Sequence, residues 1–280
     1  MPQDLQVHLL PQLVTEAQLR GGVAVVIDVL RATTTMTHAL ANGATTVMPC
    51  LSIEEAHTIA AEVAGIKRGS ADEPLAAEGR ANAGVILGGE RHGELIPGFD
   101  LDNTPTKYSP EAIGGKTVIF TTTNGTKALQ HCRAADRILL GSFNSLHALI
   151  AVLVNEKRPI HLVCAGTDGE ISTDDALCAG AIATGIWAAR KWPKWGGDSL
   201  RLVMDNFTCR CQPMRELLGV LRESFGGRNL IELGLDADIE CAARWDLFRI
   251  VPEFHPSTGR ILRAVDVPTE PPAVLMAPRE

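Results

Sequence analysis

The sequence predicts an α/β protein built on a largely parallel sheet covered by helices on both faces. Two observations carry this reading. Short, wholly apolar runs such as Val23–Ile27 alternate with longer helical patterns, the order that parallel sheets require. The same strand–helix order recurs near 23–70, near 117–155 and again from Ile160, and the first two stretches resemble duplicated α/β halves.

Each element has a local reason. Residues 23–30 read as a buried strand, and 34–42 as a helix closed by Asn42-Gly43. Residues 45–50 form the next strand. Ser52-Ile53-Glu54-Glu55 is a capping box opening a helix whose apolar face is Ala56, Ile59, Ala60 and Val63. Thr117–Thr123 is a strand, Asn124-Gly125-Thr126 a tight turn, and a short helix runs on through Leu129. A strand at 138–141 and a helix from Leu146 to Val154 follow. Ile160–Gly166 is a strand, 167–172 a loop and 173–190 a long Ala-rich helix. Residues 191–199 read as a surface loop, and Leu200–Phe225 as mostly helical, ended by Gly226-Gly227. Segments 246–251 and 260–265 suggest a β-hairpin around 252–259. One domain over 1–267 is expected, with a Pro-rich tail at 268–280.

Composition excludes several classes. A chain of 280 residues that is 45% hydrophobic but only 4% aromatic has an aliphatic core and no disorder signature. The formal net charge of −7 argues against nucleic-acid binding, so an anionic ligand needs focused cations or a metal. No uncharged apolar run reaches membrane-span length. The N-terminus lacks the pattern of a signal peptide. The 7 cysteines are odd in number and lack zinc-finger spacing, so they read as reduced thiols of a cytoplasmic protein. Assembly into a homo-oligomer stays open.

Four stretches carry chemistry. In Val25–Thr35 a buried strand ends at Asp28, followed by Arg31 and then Thr33, Thr34 and Thr35 at the start of a helix. Ligands of α/β sheets lie at such strand ends, where a carboxylate can hold a metal and an Arg an anion. A buried Asp28–Arg31 pair with Thr caps is the competing reading. Residues 88–105 place Glu90, Arg91, Glu94, Asp100, Asp102 and Asn103 among glycines and prolines, which reads as a functional loop or a solvated one. Thr121–Thr126 ends a strand with a Gly-containing turn whose N–H groups can meet an anion, with Lys127 adjacent; an ordinary Asn-Gly turn explains it equally. Residues 164–180 crowd Asp168, Glu170, Asp174 and Asp175 together, a hard-cation donor set. Asp174 and Asp175 also suit a helix start, which leaves Asp168 as the better ligand. Cys164 and Cys178 flank this loop, but no Cys–His arrangement supports a thiol nucleophile.

Together these four stretches resemble the 2-phosphosulfolactate phosphatase family. The matching segments are 25–44, 88–105, 121–129 and 164–182, in that order; the C-terminal third matches loosely through Gly234, Asp238 and 249–252. The resemblance implies a three-layer α/β/α fold and an Mg²⁺-dependent hydrolase that converts 2-phospho-3-sulfolactate to 3-sulfolactate and phosphate. In methanogens that step belongs to coenzyme M biosynthesis. Matched residues are Asp28, Arg31, Glu90, Arg91, Asp100, Asn103, Thr123, Asn124, Gly125, Thr126, Asp168, Asp175 and Cys178. One departure is Asp102-Asn103-Thr104-Pro105 where Gly-Asn-Ser-Pro is the family pattern; Asp102 adds a ligand or repels an anion.

Residue type then suggests roles. Asp28, Arg31 and Asp168 are expected to be catalytic. Arg91, Asn103, Thr33, Thr34, Thr123, Asn124, Gly125 and Thr126 are expected to bind a small anionic phosphoester. Asp28, Glu90, Asp100, Asp168 and Asp175 are expected to hold Mg²⁺. A non-catalytic anion-binding module and a phosphatase for another phosphorylated hydroxy acid are the alternatives.

Overall fold

The computed structural model describes residues 5–65, 76–190, 197–211 and 216–268. Ten strands form its sheet: β1 (Leu5–His8), β2 (Val23–Ile27), β3 (Thr46–Pro49), β4 (Val85–Arg91), β5 (Glu94–Leu95), β6 (Thr117–Thr121), β7 (Arg137–Gly141), β8 (Ile160–Cys164), β9 (Pro252–His255) and β10 (Arg260–Arg263). Their order is β1-β8-β2-β7-β9-β10-β3-β6-β4-β5. The helices are α1 (Glu16–Leu19), α2 (Ala32–Ala41), α3 (Ile53–Val63), α4 (Ala77–Asn82), α5 (Pro110–Ile113), α6 (Gly125–His131), α7 (Leu146–Val154), α8 (Thr173–Arg190), α9 (Asp198–Arg210), α10 (Leu217–Glu223), α11 (Phe225–Glu232) and α12 (Asp236–Ala242).

The strand alternation makes three layers. Val25 and Ile27 of β2 pack with α7, α8 and α9, while Ala24 and Val26 pack with α2 and α6 on the opposite face. Ile119 of β6 joins a smaller cluster with α3, and Val118 and Phe120 point to the other side. A strand buried on both faces has no polar side, which is why these runs lack the alternation of a half-exposed strand. Burying one such Val or Ile contributes roughly 1.5–3 kcal/mol.

The sheet has two parallel parts. Strands β1, β8, β2 and β7 run together, as do β3, β6 and β4. The hairpin β9–β10 lies between them, antiparallel to β7 on one side and to β3 on the other. Three antiparallel steps therefore separate β7 from β3, and the two parts run in opposite senses. Helix α2 carries the chain from β2 in one part to β3 in the other; α6 carries it back from β6 to β7. This reciprocal crossing sets the starts of α2 and α6 side by side. A Cβ built on Gly125 would lie 2.6 Å from Ala32 Cβ.

Several local expectations hold. Ser52 Oγ accepts the Glu55 N–H and caps α3, Gly43 has φ +99° after α2, and α8 runs unbroken from Thr173 to Arg190. Three expectations are corrected. The hairpin strands begin at Pro252 rather than residue 246, because Pro252–His255 is the stretch whose register faces Arg260–Arg263. Gly226 and Gly227 do not end a helix; they lie in the first turn of α11, capped by Ser224, and a Cβ on Gly227 would meet Leu221 O at 1.9 Å. Residues 85–91 are strand, so Gly88-Gly89 belong to β4 rather than to a loop. Their small size admits neighbours: a Cβ on Gly88 would lie 2.2 Å from Tyr108 Oη. Residues 66–70, 191–196 and the tail from 269 lie outside the described residues. No described helix is long and apolar enough to cross a membrane.

Candidate active site

The 28–31 turn is held from below by carboxylates. After β2, Asp28 Oδ1 accepts the Ala32 N–H at 3.1 Å and so anchors the first turn of α2. Asp175 Oδ1 accepts the Val29 N–H at 2.8 Å, and its Oδ2 accepts the Gly166 N–H at 3.0 Å. Asp174 accepts the Ser172 hydroxyl. Both side chains are buried, and Asp175 at the start of α8 thus ties the end of β8 to the turn that carries Asp28.

Arg31 is fixed by distant parts of the chain. Its Nη1 donates to Asp238 Oδ2 at 2.7 Å and lies 3.5 Å from Thr104 Oγ1; its Nη2 donates to the Gly93 carbonyl at 3.0 Å. The pair is 3% and 2% exposed, so it is a buried ion pair. Nε and one Nη2 hydrogen of the guanidinium are left over by these contacts, and Arg31 lines the cleft described next.

A cleft of about 320 Å³ opens above these groups. Asp28, Arg31, Glu90, His92, Asn103, Thr122, Thr123, Asn124 and Asp168 line it, and α11 closes one side with Asn229, Glu232 and Leu233. Glu90 is an organiser here. Its carboxylate accepts the Thr123 N–H at 2.9 Å and the Gly93 N–H at 2.8 Å, which ties the β4–β5 turn to the turn after β6. Asp168 is exposed, at φ +52° and followed by Gly169 at φ +85°, in a two-residue turn closed by the Thr167–Glu170 pair. Asp-Gly is the preferred pair for such a primed turn, so turn geometry by itself accounts for the residue types.

The electrostatics are acidic. Burial pushes the Asp28 carboxyl up to about 7; the Ala32 N–H opposes this, and the charges of Asp174 and Glu90 add to it. Burial raises Asp174 and Asp175 as well. The Arg31 charge is shared with Asp238, so the cleft has a surplus of negative charge. Asn103 Oδ1 is buried without a partner at the cleft wall, an acceptor in need of a cation or donor.

Not every predicted residue reaches the cleft. Thr33 Oγ1 lies within hydrogen-bond distance of the Asp28 and Gly141 carbonyls, and Thr34 donates to the Val29 carbonyl; both are fully buried, do not line the cleft, and lock the turn. The Thr126 hydroxyl donates to the Thr122 carbonyl, and its N–H faces Thr122 Oγ1. Arg91 is turned away and donates to the Glu90 and Leu51 carbonyls and to Thr121 Oγ1. Asp100 forms a bidentate pair with Arg80 and accepts the Leu87 N–H. The five expected metal carboxylates are therefore not one ligand set: Asp100 and Asp175 hold the fold. Among the described residues, no three His, Cys, Asp or Glu side chains converge as a metal site. Asp102 does not line the cleft, and Lys107 Nζ holds it at 2.6 Å. Cys164 and Cys178 are fully buried, and burial drives their thiols well above the usual range, unsuited to nucleophilic attack.

Sequence reasoning missed the role of Asp238 and the wall supplied by α11. The weak C-terminal match at Asp238 was the available signal.

A polar cleft at the ends of β2, β4 and β6, with one fixed Arg and a turn presenting N–H groups, suits a small anionic ester. The family model for 2-phosphosulpholactate phosphatase matches residues 8–256. A protein of Symbiobacterium thermophilum described as a probable 2-phosphosulfolactate phosphatase is 38% identical over 237 residues, 85% of this chain and 93% of that one. Proteins with the same description from Caldicellulosiruptor saccharolyticus and Clostridium perfringens strain 13 are 37% and 36% identical, over 86% and 84% of this chain and 93% and 87% of theirs. The chain belongs to the 2-phosphosulpholactate phosphatase family, a family of phosphoric monoester hydrolases.

Proposed function

We propose that this protein is an Mg²⁺-dependent phosphatase that hydrolyses 2-phospho-3-sulfolactate to 3-sulfolactate and phosphate, a step suited to coenzyme M biosynthesis or other sulfolactate metabolism. Besides the family, the observation that carries the reading is the approach of Asp28 to the turn after β6. A Cβ on Gly125 would lie 2.6 Å from Asp28 Oδ2, so only glycine lets that cleft-lining carboxylate lie against the start of α6.

The donor set fits the metal. Mg²⁺ is commonly bound by one or two carboxylates with substrate phosphate and water, not by a full protein cage. Asp28 and Asp168 are the carboxylates assigned to it, and Asn103, whose Oδ1 has no partner, lines the same cleft. Bound there, Mg²⁺ would offset the charge of the phosphoryl oxygens. Arg31, held still by Asp238, orients the substrate through its remaining N–H groups. The Asn124 N–H is the one assigned to phosphoryl oxygen, since Asn124 lines the cleft and the N–H groups of Thr123 and Thr126 already have protein partners. Water attacks phosphorus, the P–O bond to C2 breaks, and the leaving oxygen takes up a proton.

The test is phosphate release from 2-phospho-3-sulfolactate, with Mg²⁺ and then with EDTA, against 2-phospholactate and an aryl phosphate. Rapid release that needs Mg²⁺ and prefers the sulfonated ester is expected. No release from any of the three overturns the reading, and release untouched by EDTA overturns the metal assignment.

A further inference from the structure

Thr123, Asn124 and Asp168 also line a second cleft, of about 520 Å³, together with Gln12, Lys127 and His131. Lys127 is its only Arg or Lys among the described residues, as Arg31 is in the first cleft. The Lys127 side chain is exposed and forms no ion pair among the described residues. His131 is engaged elsewhere, its Nε2 donating to the Val14 carbonyl at 2.7 Å. Asp168 brings negative charge to both clefts, so a second anionic group of a ligand entering here needs the ammonium beside it.

We infer that Lys127 is the specificity residue for the sulfonate of the substrate, lodging it in the second cleft while the phosphoryl group reacts in the first. The inference rests on the substrate class proposed above. In 2-phospho-3-sulfolactate the carboxylate is attached to the carbon that bears the phosphoryl oxygen, and the sulfonate lies one carbon further out. The longer arm is the one that reaches past the shared residues toward Lys127. The chemistry of the two cations agrees with this division. The planar fork of Arg31 matches a carboxylate or phosphoryl group, whereas a Lys ammonium is a compact charge with rotatable donors, suited to three equivalent sulfonate oxygens. Arg91, the other expected anion-binding cation, faces away from the first cleft.

Lys127→Gln and Lys127→Arg test the assignment with two substrates and two binding probes. Losing a hydrogen bond to a charged group predicts a KM for 2-phospho-3-sulfolactate raised about 10-fold or more in K127Q. The kcat should change far less, the KM for 2-phospholactate should move less than about 2-fold, and K127R should recover much of the loss. Binding of 3-sulfolactate and of lactate, followed by titration calorimetry, gives the same comparison without turnover. Weakened 3-sulfolactate binding with lactate binding unchanged supports the inference even if no ester is hydrolysed, an outcome that would sink only the phosphatase reading. Equal losses on both substrates and both ligands, or no loss on any, overturn it.

Discussion

Arg31 and Asp238 form a buried ion pair, Nη1 to Oδ2 at 2.7 Å, that joins the first turn of α2 to α12. Thr104 Oγ1 donates to the same carboxylate oxygen at 3.1 Å, so three separate segments meet at one point beside the cleft. The arrangement makes Arg31 a fixed donor, and an anion meeting it need not first order a long flexible side chain.

Asp238→Ala should therefore act twice. Removing one partner of a buried pair leaves an uncompensated charge, which costs about 3–5 kcal/mol. Urea unfolding should show that loss, and substrate KM should rise because Arg31 is released. An unchanged midpoint and KM would contradict the structural role given to the pair.

Gly125→Ala should lose activity even though Ala favours a helix. The new Cβ would meet Asp28 Oδ2 and Ala32 Cβ, each at 2.6 Å, so the carboxylate and the start of α2 must shift to admit it. Overpacking of this kind costs about 1–3 kcal/mol. Gly219→Ala is the control: it lies within α10, and an added Cβ there has nothing within 4 Å. It should gain up to about 1 kcal/mol from helix propensity. Thermal melts and phosphate release on both variants separate the local clash from any general effect of the substitution.

The metal carboxylates should divide into two groups. Asp28→Asn and Asp168→Asn are expected to weaken Mg²⁺ binding measured by calorimetry at least 10-fold, the range seen when support for a metal site is lost. Asp100→Asn should leave Mg²⁺ affinity unchanged and lower stability by roughly 1–3 kcal/mol, since its partners are Arg80 and the Leu87 N–H. Strong Mg²⁺ dependence on Asp100 would reverse this division.

His8 should make the fold sensitive to acid. Burial, and then the neighbouring His161 whose Nδ1 lies 3.2 Å from His8 Nε2, hold the His8 pKa at about 4 against 6.5 for the free side chain. Between those values the unfolded chain binds the extra proton, so stability falls as pH drops from about 6.5 toward 4. His8→Gln should flatten that part of the urea-stability profile relative to the parent chain. Identical slopes in the two proteins would show that the pair does not titrate in this way.

Much of the cleft was legible because its signals are local. Asp28 at the end of an apolar run, Asn103 in a charged loop, the Thr123–Gly125 turn and the Asp168-Gly169 turn are each recognisable within a few residues, and all but the two glycines line the cleft. Strand–helix alternation was legible for the same reason, since the period of apolar residues is set by which faces are buried.

What the sequence determined by itself was the order of elements, the two-sided burial of the central strands and the set of polar residues carried to strand ends. Only the tertiary structure decided which of them line the cleft. Arg91 and Arg31 look alike as cations beside glycines or threonines, yet one is folded back on local carbonyls and the other is held toward the cleft by a carboxylate 207 residues away. Asp100, Asp175 and Asp28 look alike as carboxylates, yet two of them satisfy backbone N–H groups or an Arg outside the cleft lining. The C-terminal hairpin enters the middle of the sheet, a placement set by long-range pairing that local periodicity does not encode. Side-chain direction follows from what each group can bond once the chain is packed, because a buried donor or acceptor left without a partner costs more than most sequence preferences supply.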